Sequence, residues 1–144
     1  MVGVRYSFNL RGVIDLLIEA KRGTKMVCGW LEENIEAMRK RDKELGKLLA
    51  QLEAVKPRGI NIDETRDSII KEMSEINEER SKWEKLLEGW RIRDKDFKRL
   101  SVMLERTEGS GKMHPESYDL IDKYFGRNKY FGPGIVDKEE VELP

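Results

Sequence analysis

Residues able to do chemistry are few in this 144-residue chain, and their spacing suits none of the common reactions. Cys28 is the sole cysteine and His114 the sole histidine, so an internal disulfide is impossible and a Cys/His zinc site is not expected. Cys28 falls at a position expected to be buried in a helix seam, where a thiol is a small apolar filler rather than a nucleophile. His114 stands before Pro115 after a Gly109-Ser110-Gly111 break, a place for a helix cap or an exposed loop. Gly109-Ser110-Gly111-Lys112 follows a helix pattern instead of a strand and lacks the spacing of a phosphate-binding loop. The carboxylate pairs Glu32-Glu33 and Glu78-Glu79 read as solvated helix faces. No catalytic residue, metal ligand or cofactor site is therefore expected, and the chain reads as non-enzymatic.

Binding chemistry is better represented. The words Lys123-Tyr124-Phe125-Gly126 and Lys129-Tyr130-Phe131-Gly132 recur six residues apart. Tyr124, Phe125, Tyr130 and Phe131, with Trp30, are candidate anchors for a protein partner, because aromatic rings bury much area for little entropy. The same rings would equally serve to cap the chain's own apolar end. A second class is nucleic acid, through the basic residues Lys21, Arg22, Lys25, Arg91 and Arg93, with the tyrosines and phenylalanines as stacking surfaces. Against it, 28 basic residues are balanced by 28 acidic ones, so no global field draws the chain to a polyanion. No apolar run approaches a membrane span and no signal-peptide pattern opens the chain, so a cytoplasmic protein with no membrane association is expected.

Positioning these residues falls to two long heptad patterns. In the second half Ile62, Ile69, Ile76, Trp83, Trp90, Phe97 and Leu104 recur every seventh residue, the mark of a left-handed coiled-coil helix. Asn61 and Glu64 have capping-box spacing at its start. From Asn9, a candidate N-cap, Leu10, Leu17, Thr24, Leu31, Met38, Leu45 and Leu52 repeat the pattern in one frame across Gly23 and Gly29. That constancy predicts one helix from about 9 to 55; a break near Gly23 would give a three-helix bundle instead. Lys56-Pro57-Arg58-Gly59 ends it, and so short a connection makes the two helices antiparallel.

Folding the chain at residues 58 to 59 brings the seams together, Leu45 against Met73 and Leu31 against Leu87 among them. It also sets Asp42 one layer from Arg80 and Lys21 one layer from Asp94, opposite charges suited to fixing register rather than adding stability. The expected fold is all-α: an N-terminal arm or short strand (1–8), an antiparallel coiled-coil helical hairpin (9–107), and a C-terminal segment (112–144) with a short amphipathic helix and an irregular, aromatic and acidic tail. Val13, Leu16, Ile18, Val27, Trp30, Leu86, Ile92, Leu100, Val102 and Met103 lie outside the seam toward the open end of the hairpin. Covering so wide an apolar surface needs the C-terminal segment and a second chain, so a homo-oligomer engaged in protein association is expected.

Overall fold

A computed structural model describes residues 2–55, 59–126 and 136–142, and the side chains of 9–55 and 61–126 within them. The elements in order are β1 (Val2–Phe8), α1 (Leu10–Glu53), α2 (Ile60–Ser110), α3 (Pro115–Phe125) and β2 (Val136–Glu142). The two long helices form the expected helical hairpin, and α1 runs unbroken through Gly23 and Gly29. The heptad frame that never slips across those glycines holds the helix together through packing, which outweighs a cost of about 1 kcal/mol per glycine.

Local chemistry sets the helix ends. The Asn9 side chain accepts hydrogen bonds from the N–H groups of Arg11 (3.0 Å) and Gly12 (3.3 Å), satisfying orphan donors of the first turn of α1. At the start of α2 the Gly59 carbonyl accepts from the N–H of Ile62 (3.1 Å) and Asp63 (3.2 Å), so the helix begins earlier than a cap at Asn61 requires. The Asn61–Glu64 capping box is thus displaced into the helix interior, where the Asn61 carbonyl takes the Thr65 hydroxyl at 2.8 Å. Helix α2 continues through Gly109 and stops where Gly111 adopts a left-handed φ of 73°, which glycine reaches without a Cβ penalty.

Packing divides the chain into two units, Met1–Lys25 with Ile92–Pro144, and Met26–Arg91. In the first, Val13 and Leu17 of α1 and Phe97, Leu100, Met103 and Leu104 of α2 form a core with Leu120, Ile121, Tyr124 and Phe125 of α3. Helix α3 is built as its sequence requires: Pro115 opens it, and the His114 ring accepts the Glu116 N–H through Nδ1 at 3.2 Å, the capping role expected of that histidine. A Cβ at Gly126 would collide with the Asp122 carbonyl, so only glycine closes the helix in this way. In the same unit β1 and β2 pair antiparallel from Val2↔Glu142 to Phe8↔Val136. Residues 136–142, expected within an irregular tail, therefore form a strand whose backbone groups are met by the other end of the chain.

In the second unit, Leu31, Ile35 and Leu87 are buried with Val27, Cys28, Trp83 and Trp90 packed against them, and Leu45 and Ile69 are buried nearer the turn. The ion pairs between the helices bracket the expected fold point, Arg41–Glu72 centring on residues 56 to 57, Glu53–Arg66 on 59 to 60 and Glu32–Arg91 on 61 to 62. The seam charges do not pair as expected. Arg80 turns along its own helix to Glu84 (3.8 Å), and one carboxylate oxygen of Asp42 is buried with no hydrogen-bond partner. In the first unit Lys21 donates to the Ser101 hydroxyl (3.4 Å) while Asp94 pairs with Lys98 (2.8 Å). Arg80 and Asp94 thus take partners four residues away on their own helix, at less cost in ordering, while Lys21 crosses the seam to a hydroxyl.

Candidate protein-interaction face

Tyr124 and Phe125, expected as candidate partner anchors, belong to the core of the first unit, with 5% and 2% of their surface exposed. Phe97 of α2 takes them on its two sides, the Tyr124 ring edge-on at 4.8 Å between centroids and the Phe125 ring stacked at 6.0 Å. The Tyr124 hydroxyl donates to Asp96 at 2.5 Å, and Lys123 reaches the same carboxylate oxygen at 3.3 Å. Burial first, and the Asp96 hydrogen bond second, raise the Tyr124 pKa above its ordinary 10.0. An Arg99–Glu116 ion pair also ties α2 to α3. These rings therefore cap their own hairpin, and as partner contacts they are corrected. Tyr130 and Phe131 lie outside the described residues.

Trp30 is different, with 57% of its surface exposed. It lies on α1 in the second unit, where its indole rests against Trp83 at 5.2 Å between centroids and an interplanar angle of 41°. The Trp83 N–H is taken by Glu79 (2.9 Å), and the Trp30 carbonyl by the Asn34 amide (2.7 Å). Leu86, one turn on from Trp83, is 55% exposed, and Met26, one turn before Trp30, is 70% exposed.

Helical geometry shows what these residues share. From Trp30 to Arg41 on α1, and from Trp83 to Glu72 on α2, are about three turns each, so the Arg41–Glu72 ion pair (3.1 Å) lies on the same flank as the two tryptophans. Two more turns along, Leu48 and Thr65 fall on that flank too. They line an open groove of about 360 Å³ with Gln51, Leu52, Val55 and Ile69. Glu32 and Arg39, two and nine residues from Trp30, are turned about 180° away around α1. There they pair with Arg91 and Glu84, each at 3.1 Å. This unit thus has one flank of ion pairs and one on which Trp30, Leu48 and Leu86 stand exposed, with Arg41 between them pairing with both Glu72 (3.1 Å) and Glu44 (3.8 Å). The heptad pattern marks the seam between two helices, whereas this asymmetry lies in the residues beside it. The signal in the sequence is Trp30, Leu48 and Leu86 standing just outside the seam line.

The basic residues fall differently from an anion-binding groove. Arg91 is held by Glu32, Lys21 by Ser101, and the Arg93 guanidinium lies 6.0 Å from the centre of the Tyr124 ring. Arg22 and Lys25 are exposed on α1. Among the described residues no helix is long and apolar enough to cross a membrane. Comparison with protein-family models, with curated proteins and with solved structures gives no match.

Proposed function

We propose that this chain is a non-enzymatic association protein, a coiled-coil hairpin whose work is to dock on protein through the Trp30 flank of its second unit. The observation that carries this reading is the exposure of Trp30, Leu86 and Met26 beside an apolar groove, on a unit whose opposite flank is satisfied by ion pairs. Tryptophan dominates association energetics because it buries a large rigid surface and keeps an N–H for a polar partner. Large exposed apolar side chains gathered on one flank cost solubility unless something covers them. The Trp30–Trp83 pair also arrives preorganised, so little rotamer entropy is lost on docking.

The test places a photoreactive phenylalanine analogue at position 30 and, as a control, at Lys43, an exposed position turned about 140° away around α1. Irradiation in lysate is expected to yield protein adducts from position 30 and few from position 43. Equal yields at both positions, or none at either, would sink the reading.

A further inference from the structure

Resting on that reading, we infer that the occupant of the Trp30 flank is a second copy of this chain, docked antiparallel about a two-fold axis so that each Trp30 enters the groove of the other copy. Three observations meet in this arrangement. The first is self-complementarity. A two-fold interface joins a patch to itself, so residue i meets residue j while j meets i. Here a projecting indole and a groove lined by Leu48, Leu52, Val55 and Thr65 occupy the same flank, about 27 Å apart along α1. Turning one copy end for end about the midpoint between them brings both indoles over both grooves at once.

The second is charge. Residue 39 marks that midpoint on α1, and Arg41, paired with Glu72, lies beside it on the docking flank. Two such pairs meeting at the axis form a ring of alternating sign, Arg41, the partner's Glu72, the partner's Arg41 and Glu72. The ring sets the register.

The third is area. Met26 to Glu53 of α1 spans about 42 Å, and two helices side by side are about 20 Å across, which gives a flank of roughly 800 Å². That is about the surface each partner buries in a stable interface of standard size.

Light scattering on the full chain at its highest soluble concentration is expected to give twice the chain mass. Arg41→Glu places like charges around the axis and is expected to weaken the dimer at least about thirtyfold, while Arg41→Glu combined with Glu72→Arg restores it. Restoration by the double swap separates interface from fold, and the helical circular dichroism of each variant checks that it folds. With the photoreactive residue at position 30, the purified protein is expected to give a doubled mass, with the adduct mapping to residues 48–55 of the second copy. A monomer by scattering, or an adduct elsewhere on the second copy, overturns the inference. If the monomer's position 30 instead captures a foreign protein, the association reading stands and only the occupant is wrong. If it captures nothing, both fall.

Discussion

The two units put the same kind of residue to opposite uses. In the first, the apolar side chains beside the seam at Val13, Leu100 and Met103 are covered by α3, and the aromatic rings of Tyr124 and Phe125 are spent on that cover. In the second, Trp30 and Leu86 stand beside the seam with no such helix over them among the described residues. A two-helix hairpin buries one stripe per helix, so anything apolar outside it is either capped within the chain or left for a partner. The first unit shows the internal solution and the second leaves room for the external one.

Removing the cover should make the first unit resemble the second. Phe125→Ala deletes a fully buried ring from the core and is expected to cost about 3–5 kcal/mol in denaturant unfolding, with Phe97 and Leu104 newly able to bind a hydrophobic dye. If stability and dye binding stay as they were, α3 is not the cover proposed for it. The seam of the second unit should respond in the opposite sense. Asp42→Leu replaces a partly buried carboxylate that has an unpartnered oxygen, and a gain of about 1–3 kcal/mol is expected by the same measurement. A loss would mean that water or a partner satisfies that oxygen.

A finer effect comes from the Tyr124–Asp96 hydrogen bond. Tyr124→Phe removes one charge-assisted bond, at a cost of about 1–2 kcal/mol near neutral pH. Because the fold raises the Tyr124 pKa, it favours the neutral phenol: the stabilisation is full below pH 10.0, the ordinary value, and is lost as pH climbs through the raised one. Thermal unfolding followed across this alkaline range should therefore fall more steeply in the parent chain than in Tyr124→Phe. Parallel slopes would assign the shift elsewhere. The smallest change is expected at Ile18, which is exposed on α1 in the capped unit: Ile18→Thr should alter stability by no more than about 0.5 kcal/mol. A larger loss would show that the capped unit also uses its outer surface.

Much of the architecture was legible in residue spacing. Leu10 to Leu52 and Ile62 to Leu104 repeat every seventh residue, which is a property of each helix alone and needs no knowledge of what surrounds it. Asn9 and His114 cap their helices through groups two or three residues away, again local chemistry. The same spacing narrowed the antiparallel register to slips of seven residues, and the short connection between the helices selected among them. Where α3 docks was not legible in that way. Its amphipathic face states that it needs a surface, and Val13, Leu100, Trp30 and Leu86 all advertise one. Only the tertiary structure chose between them, burying Tyr124 and Phe125 against Phe97 and leaving Trp30 in the open. Pairing of Val2–Phe8 with Val136–Glu142 was likewise a tertiary decision, since a strand's periodicity does not name its partner. The physical division is one of range. Heptads, caps and turns act over a few residues and are written in order, whereas cover for a surface is settled by competition between segments distant in sequence, through the area each can bury.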